Sequence, residues 1–211
     1  MKYPRTYHLP YSPGATKDDK KLSIKNGINW FSYYKGKEIV ITEKLDGENT
    51  CFTRQDVYAR SHGAPTRSPW SRNLWDPSYG LYWDIKSKIG TYESIFGENL
   101  YGEHSIHYDK LPCYWFMFAC YWEDCDYWCS WDDVKLIAEI LNVPTVPEFA
   151  DGSGKIGLTE ILNHINAENL RHTPGDINTT GEIRINLHCI QQYQQHLGST
   201  VAAVVAVNSC I

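Results

Sequence analysis

The chain has 211 residues, enough for one domain of ordinary size with a sizeable core, since 42% of them are hydrophobic and 14% aromatic, with eight Trp and fifteen Tyr. A formal net charge of -5 excludes general attraction to nucleic acid, so any such binding must use local basic patches. No apolar run approaches the ~20 residues that span a bilayer, and Met1-Lys2-Tyr3-Pro4 does not begin a signal peptide, so a soluble, intracellular protein without membrane association is expected. The seven cysteines are odd in number and unevenly spaced, which argues for reduced thiols over a disulfide framework. In "CYWEDCDYWC", Cys120, Cys125 and Cys129 invite a metal reading but lack the paired CxxC spacing of zinc sites.

The opening, "KYPRTYHLPYSPGATKDDKKL", is rich in Pro, Gly and turn formers and reads as an arm or long loop, so residues 1–37 form an N-terminal arm and residues 38–211 the core of a single domain. Residues 38–43 and 50–60 read as β-runs around the Asp46-Gly47 turn. Lys44 then lies where a strand meets a turn, exposed and positioned. Residues 61–80, with Pro65, Pro69 and Pro77, look like an extended loop, and a helical stretch follows over 81–87. "NLYGEHSIHY" and "YWFMFACYW" resemble successive strands, the second mostly buried. Ser130 is the expected N-cap of a helix with acids in its first turn and Val134, Ile137, Ile140 and Leu141 on one face. A second helix is expected over 158–169; the last segment starts as a strand and ends ambiguously as helix or strand. Strands with helices inserted in runs point to an α+β fold with antiparallel sheets.

Charge is distributed unevenly. Lys17, Lys20, Lys21, Lys25, Lys35, Lys37, Arg54, Arg60, Arg67 and Arg72 crowd the first part, whereas only Arg171 and Arg184 follow Lys155. A lysine that acts as a nucleophile must first shed its proton, which costs an ordinary lysine roughly 4 kcal/mol at neutral pH. Nearby cations, a bound metal or partial desolvation reduce that cost.

The pattern KxDG at Lys44-Leu45-Asp46-Gly47 is followed in order by "YARSHG", "GENLYGEHSIHYDKLPCYWFMFACYW" and "LNVPTVPEF". Together with the opening "KYPRTYHLPYSPGATKDD", these resemble the bacterial and phage RNA ligase 2-like family of covalent nucleotidyltransferases, over roughly residues 2 to 150. The resemblance implies an adenylyltransferase (nucleotidyltransferase) fold of two antiparallel sheets flanked by helices around a nucleotide cleft. It implies an ATP-dependent RNA ligase that joins RNA 3′-hydroxyl and 5′-phosphate ends through a lysyl-AMP intermediate, with Mg²⁺ or Mn²⁺. By the same resemblance Lys44 is the nucleophile, Glu43 contacts the adenine amino group, and Asp46 and Gly47 shape the turn. Arg60 holds phosphate or the RNA end, Glu103 bonds the ribose hydroxyls, and Phe118 stacks on adenine, with Phe116 as the neighbour able to take its place. It places the protein in the cytoplasm, or the host cytoplasm if phage-encoded, with no obligate protein partner. Each residue has a plainer reading: Lys44 as a turn lysine, Arg60 paired with Glu98 or Asp56, Glu103 as a solvated strand acid, Phe118 as core. DNA ligases and capping enzymes would share the lysine, and Glu43 favours ATP because its carboxylate accepts from an exocyclic amine that guanine presents elsewhere.

The chain departs from the family toward its end. The metal-organising glutamate of the family, in an EG strand, meets "NTTGEIRIN" here, giving Glu182, or Thr180 if the glycines are aligned. Where two basic residues grip the triphosphate in the family, "TVAAVVAVN" sets Ala203 and Ala206. Removing one preorganised donor typically costs about a hundredfold to a thousandfold in rate. The alternative is therefore a catalytically impaired nucleotide- or RNA-end-binding protein of the same fold. No separate C-terminal RNA-binding domain is expected within these residues.

Overall fold

The computed structural model describes residues 2–4, 7–8, 17, 39–61, 63–104, 107–108 and 111–148, and the backbone of residues 182–189 and 202–208. In chain order the elements are β1 (Tyr7–His8), β2 (Ile39–Glu43), β3 (Glu48–Thr53), β4 (Val57–Ala59), a 3-10 turn (Pro69–Ser71), α1 (Arg72–Trp75), α2 (Leu81–Ile85), β5 (Glu93–Asn99), β6 (Trp115–Trp122), β7 (Tyr127–Trp128), α3 (Trp131–Leu141), β8 (Glu182–Cys189) and β9 (Ala202–Asn208). They form two compact units. One comprises Met1–Pro4, Leu45–His107 and Leu111–Val146; the other comprises Arg5–Lys44, Tyr108–Lys110 and Pro147–Ile211.

The second unit carries a sheet ordered β1-β9-β8-β2. Its pairings are antiparallel except β1 with β9, which run parallel. The β-branched run Ile39-Val40-Ile41-Thr42 suits a strand with partners on its pleated faces, and Val40 and Thr42 are fully buried. The Val-rich tail, ambiguous in sequence, is a strand because β8 supplies its ladder from Glu182↔Asn208 to His188↔Ala202. The expected helix over 158–169 and most of the N-terminal arm lie outside the described residues.

The first unit carries the five-stranded antiparallel sheet β4-β3-β5-β6-β7. Its interior joins Phe52, Ile95, Phe96, Trp115 and Met117, all at most 2% exposed. Trp115 sits opposite Asn99, and its indole leans over Gly97 and donates to Thr50 Oγ1 at 2.8 Å, while Thr50 Oγ1 donates to the Gly97 carbonyl at 3.1 Å. Only glycine leaves that space: a Cβ on Gly97 would stand 2.2 Å from Trp115 Cζ2. The pairing of β5 with β6 shifts here, from Phe96↔Ala119 to Gly97↔Met117, which leaves Phe118 as the extra residue of a β-bulge.

Four expectations change. The 50–60 run is two strands, β3 and β4, joined by a turn in which Thr53 Oγ1 accepts from the Gln55 and Asp56 amides. Since β2 and β3 belong to different sheets, Asp46-Gly47 connects sheets and does not close a hairpin. Residues 61–80 are not wholly extended, for Ser68 Oγ caps the Trp70 amide and starts the 3-10 turn and α1. The strand expected over residues 99–108 lies over 93–99: paired on both edges, "ESIFGEN" is buried on both faces and shows no clean alternation.

Helix α3 starts at Ser130, whose hydroxyl accepts from the Asp133 amide while Asp133 reciprocates, completing a capping box. Its buried stripe is Trp131, Val134, Ala138 and Leu141, with Ile137 half-buried and Ile140 exposed, one turn-step off the expected face. Asn142, in left-handed backbone at φ 58°, ends it. The α2 stretch lies where expected. Among the described residues no helix is long and apolar enough to cross a membrane, and no three His, Cys, Asp or Glu converge as metal ligands.

Because Gly97 carries the indole across the sheet, Gly97→Ala is expected to destabilise the fold by about 1–3 kcal/mol, the usual cost of overpacking a core. Urea unfolding would report it, and Trp115 fluorescence would shift with it; an unchanged midpoint would refute the crossing.

Candidate active site

Strand β2 ends at Glu43, and that end is held from two sides. The Glu43 amide donates to the Pro147 carbonyl at 2.8 Å, Thr42 pairs with Glu148, and β8 lies along the other edge. Glu43 itself is 2% exposed, and burial pushes its carboxyl up to about 7. Lys44 follows as a half-buried residue, and Leu45 beyond it is buried again. The lysine is thus presented between two buried neighbours.

Past Leu45 the chain enters β3 through half-buried Asp46 and Gly47. The Gly47 amide donates to Glu98 Oε1 at 3.0 Å. Any side chain is excluded there, since a Cβ would lie 2.3 Å from the Asn99 carbonyl oxygen and 2.7 Å from Leu100 Cδ2. Backbone cannot yield as a flexible side chain can, so the Gly of the KxDG pattern is required by contact.

Glu98 stands on β5, 8% exposed, near an aromatic cluster at the start of the chain. The Tyr3 ring packs 5.3 Å from Phe96, edge-on at 5.0 Å from Phe118 and edge-on at 5.5 Å from Trp128. Burial, with the Glu98 charge adding to it, holds the Tyr3 phenol well above its usual range. Phe118, at the bulge, is therefore buried against Tyr3, and Phe116 is also buried.

The remaining predicted residues are dispersed. Arg60 is exposed in the turn after β4; Asp56, one of the two acids named as its partner, instead meets Arg67 at 2.7 Å. Glu103 is exposed in the loop after β5, not in a strand, and pairs with His107 Nδ1 at 2.8 Å. The carboxylate that reaches the Asp46-Gly47 turn is Glu98, which sequence reasoning offered only as an ion-pair partner for Arg60. Its signal was "FGEN" at a strand end, obscured because the strand was expected to begin at residue 99. Glu182 opens β8 opposite Asn208, Ala203 pairs with Leu187 and Tyr7, and Ala206 pairs with Arg184. Thr180 lies outside the described residues.

A family model described as RNA ligase matches residues 37–186, most of the chain and all of the Lys44 segment. No curated protein matches the sequence. Among solved structures, an archaeal ATP-dependent RNA ligase is similar with a TM-score of 0.59 and 12% identity over 97% of this chain and 48% of that one. An apo lysine-to-alanine mutant of a Naegleria gruberi RNA ligase gives 0.51 and 16% over 83% and 51%. A protein of Aquifex aeolicus assigned as an ATP-dependent DNA ligase gives 0.52 and 16% over 83% and 45%. The chain spans about half the length of these structures. At these identities the likeness is one of fold, and the fold is the nucleotidyltransferase ligase fold.

The buried Glu43 carries a pH signature. Its carboxyl ionises near 4.5 when unfolded and about 7 when folded, so the native chain holds the extra proton between those values and loses stability as pH rises through that window. Glu43→Gln removes the penalty: about 1–3 kcal/mol more stable than the parent at pH 8 and equal to it at pH 4.5 or below. Denaturant midpoints at both pH values check this, and a difference independent of pH would refute it.

Proposed function

Since the chain belongs to the RNA ligase family, we propose that it is an ATP-dependent ligase that joins RNA 3′-hydroxyl and 5′-phosphate ends through AMP carried on Lys44. The observation that carries this reading is the Lys44 turn: a lysine held between buried Glu43 and Leu45, followed by a glycine whose amide is fixed by Glu98 and whose Cα has no room for a side chain. Such a turn suits a nucleotide, because backbone is fixed and close at the point where a ligand must approach.

In the first step Lys44 Nζ, having given a proton to solvent, forms a bond to the α-phosphorus of ATP as the bond to pyrophosphate breaks. The AMP then passes to the 5′-phosphate of an RNA, and a 3′-hydroxyl displaces AMP to make the phosphodiester. Glu43 offers a carbonyl oxygen to the adenine amino group. Asp46 and Gly47 shape the turn, Arg60 takes phosphate or the RNA end, and Phe118, which packs against Tyr3 here, would have to part from that ring to stack on adenine. For the ribose hydroxyls, the bond from Gly47 favours Glu98 over Glu103.

Mg²⁺ or Mn²⁺, when bound, would draw charge from the phosphates. A dedicated cage of protein ligands is not needed for that, because Mg²⁺ commonly takes one or two carboxylates together with substrate phosphate oxygens. Glu182 is the proposed protein ligand.

A second reading rests on β9, where Ala203 and Ala206 stand in place of two basic residues. A chain lacking those cations would keep the fold and bind a nucleotide or an RNA end with the chemistry slowed or lost.

Intact mass spectrometry after incubation with ATP and Mg²⁺ separates the two. The ligase reading expects a gain of one AMP in the parent, none in Lys44→Ala, a loss of roughly tenfold or more in rate for Glu98→Gln and near-parental behaviour for Glu103→Gln. ATP binding without a mass gain in the parent would establish the binding protein.

A further inference from the structure

Four aromatic side chains of the first unit are left in solvent beside a cation. Trp70 is 69% exposed, Tyr79 58%, Tyr114 51% and Tyr101 43%. Trp70 lies against Gly102, where a Cβ would come 3.5 Å from its ring, and Tyr101, the residue before Gly102, stands edge-on to Tyr114 at 5.4 Å. Arg72 lies 5.9 Å from the Tyr79 ring centre and within electrostatic reach of Tyr101. Scattered exposed aromatics need no explanation, but four in one unit, two of them beside one guanidinium, do.

The backbone that carries Trp70 is bonded on both sides although its ring is exposed. The Trp70 amide donates to Ser68 Oγ at 3.2 Å, its carbonyl accepts from Asn99 Nδ2 at 3.2 Å, and Asn73 and Asn99 bond each other. Asp76, whose side chain is 7% exposed, takes Arg72 Nε at 2.8 Å from beneath, while the Arg72 side chain is 57% exposed. The carboxylate is tucked under and the outer edge of the guanidinium faces solvent, so the patch presents positive charge among π-faces. It is also tied to the candidate active site within the same unit: Asn99 neighbours Glu98 on β5, and Ser71 Oγ donates to Glu48, the residue after Gly47.

We propose that this face is a stacking platform for a single-stranded RNA segment, with Trp70, Tyr101 and Tyr114 meeting bases and Arg72 a phosphate. The choice of RNA rests on the ligase reading; the platform rests on the rings, the outward guanidinium and their tie to the Gly47 turn. Flat rings accept any base, and a planar fork bonds phosphate, a pairing that suits a sequence-tolerant binder. Asp76 uses only the Nε side of the guanidinium, so its exposed remainder has donors for a phosphate that a neutral apolar protein surface would not satisfy.

Fluorescence anisotropy with a labelled, unstructured RNA oligonucleotide at several salt concentrations tests this, with AMP addition to Lys44 measured in parallel. Trp70→Ala and Tyr101→Ala are each expected to weaken RNA binding about 5–100-fold, Trp70→Phe to retain most of it, and all three to take AMP as the parent does. Arg72→Gln is expected to weaken binding and reduce the salt slope by about one phosphate contact. Parental affinity in a Trp70→Ala, Tyr101→Ala double variant would overturn the proposal, as would an unmodified chain that does not bind the RNA. Sedimentation that changes with these variants while RNA affinity does not would overturn it in favour of a contact between two copies. Loss of RNA affinity in the variants, with no AMP on the parent, would keep the platform and remove the ligase reading.

Discussion

The hydrogen bond from the Gly47 amide to the Glu98 carboxylate, across 51 positions of sequence, is the constraint on which the rest of the first unit is arranged. A carboxylate taken out of water must find donors or cost several kcal/mol. Here a backbone amide reaches it only because Gly47 has no side chain and β3 is in register with β5, Glu48 opposite Asn99. That register is held in turn by the Trp115 indole crossing Gly97 to Thr50. Two glycines therefore do opposite things on one sheet: Gly97 admits a ring, and Gly47 admits backbone.

The lysine of the turn has its backbone set by its covalent neighbours. Glu43 and Leu45 are buried on either side of it, so its backbone is fixed while its side chain stays partly accessible. The neighbouring carboxyl is buried enough to retain its proton near neutrality. Burial of Glu43 thus costs stability at high pH, where the carboxyl must ionise away from water.

The abundant aromatics divide between two tasks. Phe52, Phe96, Trp115 and Phe118 fill the sheet's interior, and Tyr3 brings the chain's first residues against Phe96, Phe118 and Trp128. Trp70, Tyr79, Tyr101 and Tyr114 do not pack inward, although the backbone beneath Trp70 is well bonded. Composition does not separate these groups, since an indole suits a core and a wet surface equally when its N–H has a partner.

Several features were legible in the sequence because they depend on local chemistry. The KxDG turn, the Ser130 capping box, β2, β6 and α2 follow from neighbouring residue types, and the ordered motifs identified the family and its fold. Positions that depend on partners far along the chain were not legible. "ESIFGEN" hides its strand because both faces are covered, Phe118 is re-aimed by a bulge created by pairing with β5, and Ile140 faces outward because the helix turns Leu141 inward. For the same reason the sequence offered Glu98 only as an ion-pair partner for Arg60: its distinction is a bond to Gly47, and residue type alone cannot say which of two nearby glutamates a folded sheet will bring to a turn. Sequence by itself determined the family, through short-range patterns in a fixed order; tertiary structure decided which carboxylate meets the Gly47 amide and which rings remain in water, because both depend on strand register and burial between distant segments.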